Sequence, residues 1–170
     1  GRFAAARADG FEGVEFLYPY AYPAAQIAEA LRANGLQQVL FNAPPGGVAQ
    51  ADMVSAWDRG LRGSLALPEQ QAAFEASIRL ALDYAVALQC PRVHVMSGIV
   101  PVDADRAALT ALVVQRLQWA AALAAPLGVS LLIEPINGRD MPGYFLQRQD
   151  EAHAIVQAVA SPAVQVQMDL

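Results

Sequence analysis

The sequence predicts an α/β fold with a parallel sheet, because short apolar runs alternate with longer amphipathic ones along its 170 residues. Hydrophobic residues make up 55% of the chain, enough for a substantial core in a single domain over residues 1–170. Strands that alternate with helices run parallel and are joined by right-handed crossovers. Two architectures fit this order, a doubly wound open sheet and part of a (β/α)8 barrel.

Five runs have the length and the branched aliphatic content of strands. They are Gly13–Leu17, Gln38–Ala43, Arg92–Ser97, Val129–Glu134 and Ala163–Asp169. A helical pattern precedes the first run, and a run typical of a strand closes the chain. We therefore expect both ends to be truncated and the chain to be a fragment of a longer domain.

Four helices are predicted between these strands from their start and stop signals. They begin, in chain order, near Pro23, at Pro68, near Asp103 or Asp105, and near Asp150. The second places apolar residues on one face, namely Phe74, Ile78, Ala81, Leu82 and Ala85. Residues 44–67 form a long connection after the second strand, and such connections usually cover a site.

Composition excludes several function classes. All 11 basic residues are arginines, so the residues present cannot supply the lysine of a Schiff base or a P-loop. The net charge of −5 and the lack of a basic run argue against nucleic-acid binding. The single cysteine, Cys90, excludes an internal disulfide and a cysteine-rich zinc site. No apolar run predicts a membrane span or a signal peptide, so we expect a soluble, cytoplasmic protein.

Two neighbouring strands end in carboxylates. Glu134 follows the apolar run SLLI, and Pro135 keeps it extended, so that the strand aims its side chain. Burying a carboxylate is costly unless it is paired or bound to a metal, so Glu134 is either a site residue or a strand-end glutamate facing water. Asp169 is either a second carboxylate at the same edge or part of a polar strand end. Together they could share a divalent cation, with Mg²⁺ or Mn²⁺ favoured by oxygen ligands.

Three further residues are candidate substrate contacts. His94 lies within its strand, where a histidine is either a satisfied core residue or a ligand. Asn42 ends the second strand, and its amide can bind a substrate hydroxyl or cap the following loop. Arg139 can bind a substrate carboxylate or pair with Asp140 at the surface.

Five segments resemble a known family. The strings are GFEGVEFLYPYAYP, QVLFNAPPG, CPRVHVMSGIVP, LLIEPINGRDMPGYF and VQVQMDL, in this order along the chain. Together they resemble the hydroxypyruvate isomerases of the xylose isomerase-like barrel superfamily. The resemblance implies a (β/α)8 barrel of about 250 residues, of which this chain would hold strands two to six.

The resemblance also implies roles for residues. Glu134 matches the strand-five glutamate of that family, a metal ligand that donates or accepts protons, and Asp169 matches its strand-six metal ligand. The implied reaction interconverts hydroxypyruvate and 2-hydroxy-3-oxopropanoate, with a divalent metal ion as cofactor and a small hydroxy-oxo acid as substrate. A second catalytic glutamate and the other metal ligands would lie beyond residue 170, so we expect the piece alone to be inactive.

Other functions are also compatible with these residues. A 2-oxo-tetronate isomerase would use the same carboxylates on a substrate one carbon longer, and sugar epimerases share the superfamily. Abasic-site endonucleases share it too, but they need a histidine-rich metal site and a basic DNA face. A non-catalytic truncated barrel is a further alternative, because five strands leave two edges that could pair with a second copy.

Overall fold

Five parallel strands form one sheet. The computed structural model describes residues 1–169 and, within them, all side chains except those at positions 50–52 and 54. The strands are β1 (Gly13–Glu15), β2 (Gln37–Asn42), β3 (Arg92–His94), β4 (Ser130–Ile133) and β5 (Val164–Val166). Their spatial order is β1-β2-β3-β4-β5, and every adjacent pair is parallel. A doubly wound sheet reverses its order at a switch point, so this uninterrupted order identifies an arc of a (β/α)8 barrel.

Helices connect consecutive strands, as predicted. They are α1 (Arg2–Ala8), α2 (Ala24–Ala33), α3 (Gln50–Asp58), α4 (Gln71–Leu88), α5 (Arg106–Ala124) and α6 (Gln149–Val159). Short 3₁₀ turns at Pro68–Gln70 and Ala125–Leu127 precede α4 and follow α5. Asp105 is the N-cap of α5, because its carboxylate accepts hydrogen bonds from the N–H groups of Ala107 and Ala108.

Helix α3 was not among the predicted helices and lies within the long connection after β2. Its N-cap position is Ala49, which has no side-chain acceptor, and no side-chain bond caps the helix. Of the side chains described in this helix, Met53 is partly buried against the core, Ala56 is buried and Trp57 is exposed. The helix was missed because its start carries neither a capping side chain nor a proline.

Strand register separates the two faces of the sheet. Phe41, Val93, Leu131 and Val164 share one row, and each is at most 1% exposed beneath the helices. The apolar face predicted for α4 is confirmed, since all five of its named residues are buried. The next row, which points to the opposite face and so to the barrel interior, contains Asn42, His94, Leu132 and Gln165. Polar residues of the interior row therefore stand near the C-terminal ends of the strands.

The observed strands end one to three residues earlier than predicted. Residues such as Glu134 and Ser97 lie just past the last paired rung, where the chain leaves the sheet. These residues line the C-terminal rim of the barrel arc, which is where (β/α)8 enzymes place their active sites.

Helix α5 differs from the expectation in one respect. The segment Arg106–Leu127 is long and apolar enough, by length and composition alone, to cross a membrane, although no run was predicted to do so. In this fold the helix packs against β4 and α6, and Arg116 at its middle is 2% exposed and hydrogen-bonded to the β2–β3 connection. The structure therefore uses it as a core helix.

Candidate functional site

Glu134 lies on the C-terminal rim of the barrel arc. It follows β4 directly, and its side chain is 16% exposed. Burial raises the pKa of its carboxyl, and the negative charges of Asp169 and Glu15 raise it further. A carboxylate with a raised pKa is a stronger base than a free one, so this position suits proton transfer.

His94 and Asn42 contact each other beside Glu134. The Nδ1 atom of His94 lies 3.2 Å from Oδ1 of Asn42 and 3.9 Å from Oε2 of Glu134. The first distance is a hydrogen bond in which Nδ1–H donates, and the second is too long to be one. The structure thus brings together three of the predicted site residues.

His94 is neutral near pH 7. Burial lowers the pKa of its imidazole to about 4, and this cost of charging outweighs the attraction of the nearby Glu134 carboxylate. With Nδ1 protonated, Nε2 carries a lone pair, and among the described residues that buried atom has no hydrogen-bond partner. His94 is therefore a polar group facing the barrel interior and not one half of an ion pair.

Two tyrosines complete this cluster and were missed from the sequence. The Tyr18 hydroxyl donates to Sδ of Met96 at 3.4 Å, and the amide of Asn42 approaches the same sulfur at 3.9 Å. The Tyr20 hydroxyl donates to the Asn42 carbonyl at 2.7 Å, which fixes the end of β2. Both tyrosines follow β1 in the string YPYAYP, so examining the end of the first strand as closely as the others could have found them.

Asp169 lies one strand over from Glu134, near enough for its charge to raise the pKa of Glu134. Gln167 lies just past β5, and its N–H donates to the carbonyl of Ile133, the residue before Glu134. Its buried Oε1 has no hydrogen-bond partner among the described residues. Two carboxylates and an unsatisfied amide oxygen are hard donors of the kind that Mg²⁺ and Mn²⁺ prefer. Among the side chains that the structure describes, no three histidine, cysteine, aspartate or glutamate residues group as a metal site, so these donors fit part of a ligand set.

Arg139 lies apart from this cluster. It is exposed in the connection after β4, where its N–H and that of Asp140 both donate to Oδ1 of Asn137. Asn137 in turn donates to the Asp140 carboxylate at 2.6 Å. The expected alternative partner of Arg139 is thus engaged by Asn137, and the substrate contact predicted for Arg139 stays a prediction.

The connection after β2 lies over the ends of β2 and β3. Gly63 N–H donates to the Pro45 carbonyl, Gly98 N–H donates to the Arg62 carbonyl, and Gly63 forms a bridge with Ser97. The φ angle of Gly63 is +100°, and a Cβ there would stand 2.1 Å from the Met96 carbonyl oxygen. Only glycine fits so close to the rim.

Comparisons with known proteins agree with this geometry. The family described as "Xylose isomerase-like TIM barrel" matches residues 3–170. A 2-oxo-tetronate isomerase of Cupriavidus necator is 51% identical over 168 residues, and a putative hydroxypyruvate isomerase of Homo sapiens is 41% identical over 174 residues. Each comparison includes 99% of this chain, which spans 61% and 60% of the respective relatives. The crystal structure of an AP endonuclease, family 2, from Brucella melitensis superposes with a TM-score of 0.90 at 42% identity, covering 99% of this chain and 62% of that one.

Proposed function

Because the chain belongs to the xylose isomerase-like TIM barrel family, we propose that the whole protein is an isomerase acting on a short hydroxy-oxo acid. The reaction would move a carbonyl from C2 to C3. The observation that carries the proposal is the largely buried Glu134, with its raised pKa, at the rim beside the buried polar pair His94 and Asn42.

Glu134 is the proposed base. Its carboxylate would take the proton from C3, the carbon that bears the hydroxyl, and the electron pair would form an enediolate with the C2 carbonyl. A proton delivered to C2 and transfer of the hydroxyl hydrogen from O3 to O2 complete the isomerisation. Burial of Glu134 raises its pKa and so strengthens the base that this step requires.

Asn42 and His94 would bind and orient the substrate. The Nδ1–H of His94 holds Oδ1 of Asn42, so the amide nitrogen of Asn42 is fixed in direction and points toward Met96. His94 contributes a neutral Nε2 acceptor that could bind a substrate hydroxyl. A neutral imidazole leaves the charge of Glu134 available for the proton transfer.

A divalent cation is part of the proposal. Glu134 and Asp169 would hold it, with Gln167 as a neutral oxygen donor, and the ion would supply Lewis-acid stabilisation of negative charge on the substrate oxygens. After burial, the charge of Asp169 is a further cause of the raised pKa of Glu134, and a cation held between the two carboxylates would relieve that repulsion.

Substrate length is proposed from the relatives. The 51% identity to the 2-oxo-tetronate isomerase exceeds the 41% identity to the human protein named putative hydroxypyruvate isomerase, and it favours a four-carbon acid over hydroxypyruvate. Hydroxypyruvate is the second candidate, because removal of a C3 proton serves both substrates equally. DNA is not proposed, despite the Brucella structure, because a net charge of −5 without lysine opposes phosphate binding.

The test is an isomerase assay on the whole protein with 2-oxo-tetronate and with hydroxypyruvate. We expect Glu134→Gln to lower kcat about 10²–10⁴-fold, whereas Glu29→Gln, on the exposed side of α2, should match the wild type. Mg²⁺ or Mn²⁺ should raise the thermal midpoint of chelator-treated wild type but not of Glu134→Gln. Full turnover by Glu134→Gln would reject the mechanism.

A further inference from the structure

A cation on the connection after β2 is linked to the candidate site by a series of side-chain contacts. The guanidinium carbon of Arg62 lies 3.6 Å from the centre of the Trp57 ring, and Trp57 contacts the Tyr18 ring edge-on with centroids 6.1 Å apart. Tyr18 in turn donates to Met96, next to Asn42. A continuous series of contacts thus runs from Arg62 to the polar cluster at the rim.

The charge of Arg62 is fixed in place. Its Nη1 atom donates to the carbonyls of Trp57 and Leu61 at 2.9 and 3.0 Å. Both acceptors are neutral, so these bonds orient the guanidinium without cancelling its charge. The backbone on either side is also held, because Gly98 donates to the Arg62 carbonyl and Gly63 packs on Met96.

The part of the site around Glu134 is negative. Besides burial, the negative charges of Asp169 and Glu15 raise the pKa of Glu134, so these three carboxylates would repel the carboxylate end of an anionic substrate. The positive charge of Arg62 reaches the site, since it lowers the pKa of Tyr18 against the larger effect of burial. A substrate with a carboxylate at one end and a hydroxy-oxo group at the other matches this division of charge.

We propose that Arg62 binds the substrate carboxylate and makes the enzyme selective for hydroxy-oxo acids over neutral ketoses. This inference rests on the proposed function and names the group that recognises C1. The planar guanidinium can hold a carboxylate through two parallel hydrogen bonds, which fixes the orientation of C2 and C3 toward Glu134. Arg139, predicted from the sequence for this task, lies exposed in a turn after β4.

The experiment compares two substrates of equal length on the whole protein. One is 2-oxo-tetronate, and the other is erythrulose, in which a hydroxymethyl group replaces the carboxylate. We expect Arg62→Gln to raise KM for the acid about 10- to 100-fold, with little change in kcat and none in the KM for erythrulose. Arg62→Lys should recover part of the loss, because it restores the charge but not the two-pronged geometry.

Arg59→Gln is the matched control, an exposed arginine three residues away at the end of α3, and its KM should equal that of the wild type. An unchanged KM in Arg62→Gln, or a rise found only in Arg139→Gln, would overturn the assignment.

Calorimetric binding of both compounds to the same variants separates this inference from the proposed function. Wild type that binds the acid through Arg62 but does not turn it over would reject the isomerase and keep the carboxylate site. Wild type that does not bind the acid, or binds it equally well after Arg62→Gln, would reject the carboxylate site.

Discussion

Replacing Arg116 by methionine should destabilise the protein by about 3 kcal/mol. The side chain is 2% exposed, and its guanidinium donates to Ser64 and Leu65 carbonyls that lie buried under α5, at 2.7 and 3.0 Å. Leaving each buried carbonyl without a donor costs about 2 kcal/mol. Part of that cost is offset, because burial also penalises the charged guanidinium and lowers its pKa. The bonds to Leu67, Pro68 and Gln71 lie nearer the surface, where water can replace them.

The assay is urea unfolding of the whole protein, followed by circular dichroism. Arg79→Met is the matched control, because Arg79 is exposed and its main contact is with the Trp119 ring at 5.3 Å, worth about 0.5–1 kcal/mol. Arg116→Met should also raise KM for the acid, since residues 64–68 anchor the segment that carries Arg62. Equal losses in the Arg116 and Arg79 variants would refute the reasoning that buried carbonyls set the cost.

Two further predictions concern stability. In metal-free protein, burial lowers the pKa of His94 from 6.5 to about 4, so the unfolded chain binds a proton at a higher pH than the folded one. The stability contributed by neutral His94 is therefore complete above pH 6.5, and about 3 kcal/mol of it is lost as the pH falls through 4. The free energy of unfolding, measured from pH 7 to 4, should fall less steeply in His94→Gln than in the wild type. It should fall more steeply in Glu134→Gln, because the raised pKa of Glu134 adds stability as the pH falls. Identical slopes in all three proteins would contradict this. Gly63→Ala should cost at least about 3 kcal/mol, because its Cβ would meet the Met96 carbonyl. Gly60→Ala, with φ +80° and open space, should cost about 1 kcal/mol and is the control in the same melting experiment.

Much of the fold could be predicted because local signals agreed with each other. The period of apolar residues gave each of the five strands, and Asp105 was one of two caps suggested for α5. The choice between open sheet and barrel arc could not be made from the pattern alone, since both alternate strand and helix; spatial order decided it. Helix α3 was missed because neither a capping side chain nor a proline marks its start.

In the candidate site too, local features could be predicted from the sequence, whereas contacts between distant segments could not. Glu134, Asn42 and Asp169 could be found because each lies at or just past a strand end, a position readable from the sequence. The contact between His94 and Glu134 depends on register between β3 and β4, which periodicity does not give. Arg62 could not be predicted as a site residue, because nothing in the neighbouring sequence distinguishes it from the other arginines.

The position of Arg62 and the close packing of the connection after β2 have a common cause. Gly63 lets the backbone lie against Met96, and that approach places Arg62, one residue earlier, over the ends of β2 and β3. From the other side, Arg116 holds the carbonyls that follow. Selectivity for the carboxylate therefore depends on Gly63 and on the buried Arg116, neither of which contacts the substrate in this proposal. Loss of either should then weaken binding of the acid more than binding of a neutral ketose, which a general loss of stability would not do.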